Sequence, residues 1–246
     1  MEQDNYIFFQ DIYKSFSDKP VLQGLNLAIE RGETLVILGR SGCGKSVTLK
    51  ILLGLLYPDS GRVFLDGEEI TGMSEKKLVE VRKKIGMLFQ GSALFDSLTV
   101  GENVAFALAE HSDKTAAEID EIVSNNLKFV EMEGTANLMP SELSGGMKKR
   151  VALARAMAYQ PDILLYDEPT TGLDPITATT INALIRKTQR EYGVTSIVVT
   201  HELDSGFSVA DRAAVMENGR ILEIGTIDAI KKSTHEFVRT FLAGPK

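Results

Sequence analysis

Cysteine is nearly absent: a chain of 246 residues holds one, Cys43. A lone cysteine excludes any intrachain disulfide and points to a reducing, cytoplasmic location. Long apolar runs are missing as well. No stretch approaches the roughly 20 apolar residues that a membrane-crossing helix needs, so the chain is expected not to span a bilayer. The opening Met1-Glu2-Gln3-Asp4-Asn5 is acidic and polar, unlike a secretory leader. Positive charge is in deficit, with 27 Lys and Arg against 34 Asp and Glu and a net charge of -7. That balance advertises no affinity for nucleic acid. The chain has no internal repeat and no low-complexity segment. What remains is ordinary for a globular protein, 43% hydrophobic and 25% charged residues, in a length that suits one large domain or a core with a subdomain.

Against that background one stretch stands out. Gly39-Arg40-Ser41-Gly42-Cys43-Gly44-Lys45-Ser46 reads G-x-x-x-x-G-K-S, the spacing of a loop that cradles the phosphates of a nucleoside triphosphate. Thr34 to Leu38 before it is apolar enough for a strand buried on both faces, and Val47 to Leu56 after it is helix-permissive. Strand, glycine turn and helix form the context in which backbone N–H groups and a helix N-terminus converge on an anion. Lys45 is expected to pair with the β- and γ-phosphates, and the Ser46 hydroxyl to hold Mg²⁺.

The flanking pattern is mixed. Tyr6 to Tyr13 and Val21 to Ile29 read as strands joined by a turn over Lys14 to Pro20. Arg62 to Ile70 reads as a hairpin around Asp66-Gly67, and Ser74 as the cap of a helix to about Lys84. From about Gly91 to Gln160 strand-like runs are few, while Thr99 with Glu102 and Thr115 with Glu118 fit capping boxes. Buried strands resume at Ile163 to Asp167 and Ser196 to Thr200, separated by a helix capped by Asp174, opened by Pro175 and reaching Tyr192. Asn218-Gly219 marks a hairpin within Ala213 to Ile224, and short helices begin near Thr226 and Thr234. The expected fold is therefore α/β, one domain over residues 1–246. A P-loop NTPase core of 1–90 and 161–246, with a mixed, mostly parallel sheet and an antiparallel β subdomain, carries an inserted α-helical subdomain at 91–160.

Two further stretches carry chemistry. Asp167 and Glu168 close an apolar strand; there an acid can steady Mg²⁺, directly or through water, and its neighbour can polarise an attacking water, although a pair of solvent-exposed strand-end acids is the alternative. Leu143-Ser144-Gly145-Gly146-Met147 opens a helix that continues through Ala156. Glycines at a helix start leave N–H groups free to face an anion, although Ser144 as a plain N-cap is the alternative. A single nucleotide seldom meets two helix starts from distant segments of one subunit. A homodimer, with Ser144, Gly145 and Gly146 facing the nucleotide of the other chain, is the economical arrangement.

In this order, the phosphate loop, the Leu-Ser-Gly-Gly stretch, the Asp-Glu pair and a later histidine resemble the nucleotide-binding subunit of an ATP-binding cassette transporter, over almost the whole chain. The resemblance implies ATP and Mg²⁺ as ligands. It implies that Gly39, Arg40, Ser41, Gly42, Cys43, Gly44, Lys45, Ser46 and Val47 hold the phosphates, and that Ser46, Gln90 and Asp167 hold the metal. It further implies that Lys45, Glu168 and His201 carry hydrolysis, His201 as the switch that meets the γ-phosphate. Phe16, or in rivalry Tyr13, stacks on adenine. By the same resemblance, Thr171 to Asp174 is expected to touch the opposite subunit. His111 and His235 match no motif and read as surface residues.

A narrower likeness lies in Gly86 to Val100, in Glu102 to Phe106 and in Met139 to Glu142, which resemble ATPases of the Mla-type lipid transport systems. It implies a separate integral membrane permease docked near Gly91 to Asp96, an MCE-domain protein, a small accessory subunit, and a peripheral place on the cytoplasmic face of the inner membrane. Importers of amino acids or phosphate carry related motifs and form the alternative. Cassette ATPases without a transporter usually show a coiled-coil insertion, zinc cysteines or two cassettes in one chain, none of which occurs here.

Overall fold

The computed structural model describes residues 5–244. Residues 1–4, part of the opening read as unlike a secretory leader, lie outside it. The chain begins with β1 (Ile7–Phe16) and β2 (Lys19–Ile29), then β3 (Thr34–Leu38) and α1 (Lys45–Leu52). A second β segment, β4 (Ser60–Leu65) and β5 (Glu68–Glu69), is followed by α2 (Glu75–Lys83) and β6 (Ile85–Leu88). Three helices come next: α3 (Val100–His111), α4 (Ala116–Phe129) and, after a 3-10 turn at Pro140–Glu142, α5 (Gly145–Met157). β7 (Ile163–Asp167), α6 (Pro175–Tyr192), β8 (Thr195–Thr200) and α7 (Leu203–Val209) restore the α/β alternation. The chain closes with β9 (Arg212–Glu217), β10 (Arg220–Thr226), α8 (Ile227–Lys231) and α9 (Glu236–Ala243).

Two sheets organise these elements. One is antiparallel, in the order β2-β1-β4-β5; the other runs β10-β9-β3-β8-β7-β6, parallel except for β10. β3 lies inside the parallel sheet, and its side chains alternate between two cores. Leu35 and Ile37 join the apolar layer between the two sheets, whereas Val36 and Leu38 join the layer that takes in α3 to α6. β7 divides in the same way, Ile163 and Leu165 to one layer and Leu164 and Tyr166 to the other. Burial on both faces explains why these strands read as unbroken apolar runs rather than alternating ones. The strand ends are thereby fixed, and the loops that leave them inherit that fixity.

Most local expectations hold. Thr99 and Thr115 form full capping boxes. The Asp174 carboxylate accepts from Ile176 N and Thr177 N, both at 3.0 Å. Asn218 and Gly219 take the left-handed conformation that such a tight hairpin requires. Three expectations are corrected. Ser74 occupies the N-cap of α2, but its side chain accepts no capping hydrogen bond. The turn after Tyr13 is shorter than Lys14 to Pro20, because the β1–β2 pairing runs out to Phe16 opposite Lys19. The helix after the phosphate loop covers Lys45–Leu52 and stops before Leu56, with Gly54 in a left-handed conformation.

Candidate functional site

The loop between β3 and α1 is shaped by close approaches. A Cβ on Gly39 would lie 2.4 Å from the Met216 carbonyl oxygen of β9, and one on Gly44 2.7 Å from Leu22 of β2. Gly44 is also left-handed, with φ of 115°. The loop is held from outside by the β9–β10 turn, whose Gly219 N–H donates to the Cys43 carbonyl at 3.0 Å. Burial pushes the Cys43 thiol pKa up. Arg40 and Ser41 remain exposed, and Val47 is half-buried in the first turn of α1. Arg40 lies over the ring of Phe237 in α9, 5.4 Å from its centroid.

Lys45 is buried. Its ammonium donates to the Gly39 carbonyl at 2.7 Å and the Arg40 carbonyl at 3.3 Å, and lies 3.5 Å from Glu168 Oε1. The Ser46 hydroxyl donates to Asp167 Oδ1 at 2.8 Å. The structure thus joins the loop to the end of β7. Asp167 and Glu168 are each 7% exposed. Burial raises the Asp167 pKa despite the bond from Ser46. Glu168 moves the other way. Burial pushes its pKa upward, but the hydrogen bond to His201 and the charge of Lys45 outweigh it and hold the carboxyl below its ordinary value.

Glu168 is the hub. Its Oε2 accepts from Thr171 Oγ1 at 3.0 Å and Thr200 Oγ1 at 3.2 Å, and sits 2.9 Å from His201 Nδ1. Its backbone is left-handed, φ 49°, an uncommon state for a residue with a side chain and one that often marks a functional position. His201 follows β8 directly, and its side chain is 44% exposed. One edge of the histidine therefore engages Glu168 while the ring remains accessible.

Other expected residues lie apart from this cluster. Ser144 caps α5, accepting from Met147 N at 3.3 Å. A Cβ on Gly146 would meet Thr177 of α6 at 2.2 Å. Among the described residues, no hydrogen bond joins Ser144, Gly145 or Gly146 to Lys45 or Glu168. Gln90 is exposed, and its carbonyl accepts from the ammonium of Lys149 in α5. Phe16 is exposed at the end of β1, with the Lys14 ammonium 5.6 Å from its ring centroid, whereas the exposed Tyr13 packs its hydroxyl over Gly24. His111 ends α3, and His235 stands at the N-cap position of α9 without a capping side-chain hydrogen bond; both are exposed.

Sequence reasoning missed Lys149. It sits on the buried side of α5 with Gly146, Leu153 and Met157, and its ammonium donates to the carbonyls of Phe89, Gln90 and Glu168. A lysine at the helical spacing of core residues was the available signal. Thr200 was missed too, since nothing in a strand-end threonine foretells its partner.

A mononucleotide cradle joined to an acid pair, with a serine-diglycine helix start elsewhere in the chain, defines an ATP-binding cassette. The family model for the ABC transporter matches residues 22–171, and the chain belongs to that family as an ATP-binding, ATP-hydrolysing subunit. It is similar to the intermembrane phospholipid transport ATP-binding protein MlaF of Haemophilus influenzae, 40% identical over 240 residues, 98% of this chain and 91% of that one. Against MlaF of Escherichia coli K12 it is 39% identical over 246 residues, covering 99% and 91%. Among solved structures it resembles the dimeric ATP-binding cassette MJ0796 in a post-hydrolysis state bound to ADP and Pi. The TM-score is 0.82 at 33% identity, over 90% of this chain and 98% of that one.

Proposed function

We propose that this chain is the ATPase of a phospholipid transporter, working as a homodimer on the cytoplasmic face of the inner membrane against a separate permease. Residues 1–90 and 161–246 form its nucleotide-binding core, and 91–160 its helical subdomain. The observation that carries the catalytic reading is the Glu168 carboxylate, buried at the end of β7 and held between Lys45 and His201. The cargo reading rests on the names of the MlaF relatives, whose match spans 91% of their length. A methionine importer ATPase of Rhodococcus jostii is 45% identical, but the match spans 65% of it, and an amino-acid importer is the second reading.

ATP lies on Gly39 to Val47, its adenine on Phe16. The donor set fits magnesium: the Ser46 hydroxyl and Asp167 carboxylate, 2.8 Å apart, are hard oxygens of the kind it takes beside phosphate oxygens. Gln90 would complete that set, and the bound ion would spread the charge that develops on the phosphoryl group. Glu168, ionised at neutral pH, takes the proton of the attacking water. His201 holds that carboxylate through one ring nitrogen and offers the other to the γ-phosphate. Lys45 balances phosphate charge. The Ser144–Gly146 helix start of the second chain closes each site, so hydrolysis is gated by dimer closure. Gly91 to Asp96 passes the motion to the permease, and an MCE-domain protein and a small accessory subunit complete the assembly.

Turnover per chain should rise with protein concentration and vanish in Ser144→Arg, while that variant still binds ATP. Concentration-independent turnover that survives Ser144→Arg would refute the sandwich. Purification from solubilised membranes should bring a permease and phospholipid with the chain; an amino-acid-binding partner would favour the second reading.

A further inference from the structure

Lys149 is 4% exposed and forms no ion pair among the described residues. Its ammonium instead donates to three backbone carbonyls, of Phe89 at 3.4 Å, of Gln90, and of Glu168 at 3.3 Å. A buried ammonium costs stability, and a well-packed apolar side chain of similar volume often serves as well or better. Stability alone therefore does not explain it. The pairing has a geometric result: it ties three segments together. Phe89 and Gln90 leave β6, Glu168 leaves β7, and Lys149 belongs to α5, whose first turn is Gly145, Gly146 and Met147.

The Glu168 contact matters most. That residue is left-handed at φ 49°, and its N–H donates to the Val199 carbonyl at 2.9 Å. With Lys149 on its carbonyl, the strained residue is held on both sides, which fixes the direction in which its carboxylate leaves the backbone. The same helix grips the segment after Gln90. Arg155 donates to the carbonyls of Ser92 at 2.9 Å and Ala93 at 2.6 Å, both left-handed residues. Burial pulls the Lys149 pKa down, and the nearby charges of Asp167 and Glu168 oppose that pull, so the two acids favour the charged, donating form.

We propose that Lys149 is a positioning residue that locks the helix presenting Ser144–Gly146 to one nucleotide onto Gln90 and Glu168, which act on the other, so that the two sites of the dimer move together. This rests on the sandwich reading above. Lys149 touches no reacting atom. Its removal leaves ATP binding intact and lets the Glu168 carboxylate drift, and displacement of about 1 Å costs on the order of a hundredfold in rate.

The test is Lys149→Met, which keeps length and removes the donor, beside Lys149→Arg, which restores donors and charge. In the folded Lys149→Met protein, kcat should fall about tenfold to a hundredfold with the KM for ATP changed less than about threefold, and Lys149→Arg should recover most of the loss. A kcat within about twofold of wild type, or a joint loss of kcat and KM that Lys149→Arg does not repair, overturns the assignment. Should Lys149→Met fail to fold, Lys149→Leu, which also removes the donor, is judged by the same criteria. Failure of both to fold would place Lys149 in the scaffold and also overturn it. Glu168→Gln separates the two ideas: its full turnover would sink the catalytic reading, whereas its inactivity beside a normal Lys149→Met sinks only this one.

Discussion

Replacing Glu168 with glutamine keeps the volume and removes the charge. The carboxylate is buried and meets the Lys45 ammonium at 3.5 Å on Oε1, with Thr171, Thr200 and His201 on Oε2. An amide offers one acceptor oxygen. If that oxygen stays with the three donors, the new NH₂ faces the Lys45 ammonium; if the amide turns, the NH₂ faces those donors. The first arrangement breaks the Lys45 ion pair and sets donor against donor; the second disturbs all three contacts on Oε2. The less disruptive of the two leaves a buried group unpaired, at a cost of about 1–3 kcal/mol. Lys45 retains the Gly39 and Arg40 carbonyls, so the loop should persist and nucleotide affinity should hold. The chemical step loses its proton acceptor, and kcat should fall by about 10²–10⁴. Phosphate release at saturating ATP measures that fall, a fluorescent-nucleotide titration checks affinity, and gel filtration with ATP should show a stable dimer. A folded Glu168→Gln protein that keeps kcat within about tenfold of wild type would refute the assignment of this carboxylate as the base.

The two strand-end acids should respond oppositely to pH. Glu168 has a lowered folded pKa, so its stabilisation is present above its ordinary value and lost as the medium is acidified through the folded one. The deficit of Glu168→Gln in thermal melting should shrink on acidification. Asp167 has a raised pKa, so its contribution is greatest in acid and lost as pH rises; Asp167→Asn should gain on the wild type towards neutrality, and parallel trends would contradict this. In β6, a Cβ on Gly86 would lie 2.2 Å from the Ala156 carbonyl of α5. Gly86→Ala should therefore cost about 1–3 kcal/mol in urea unfolding, and a neutral result would show that strand and helix separate freely. Asp174→Ala, which removes two capping bonds from α6, should cost about 1 kcal/mol in the same assay.

Local chemistry was legible in the sequence where it was self-contained. The Thr-x-x-Glu boxes, Asp174-Pro175, Asn218-Gly219 and the phosphate loop each name their conformation within a few residues. Asp167 and Glu168 were legible because the phosphate loop lies upstream; a pair of acids ending a strand reads as readily as solvent-exposed without it. Long-range pairings were hidden. Thr200 and Lys149 acquire their partners only once β6, β7, β8 and α5 meet, and no local pattern states that meeting. α7 was missed for a related reason. It is seven residues long and carries an interior Gly206, which lowers helix propensity. That glycine lets the helix close on the sheet, since a Cβ there would sit 3.0–3.3 Å from Leu38, Val36 and Thr200. Ser74 illustrates the converse: a good capping residue at the right position forms no bond.

The neighbours of β3 have a bearing on how the protein is made. β3 pairs with β8 and β9, and the loop that follows it is braced by the turn at Gly219. All of those partners leave the ribosome long after Lys45 does. The nascent chain accordingly lacks a finished seat for ATP until its final strands arrive, and a polypeptide truncated before Gly219 should emerge unable to retain nucleotide, however much of its motif it carries.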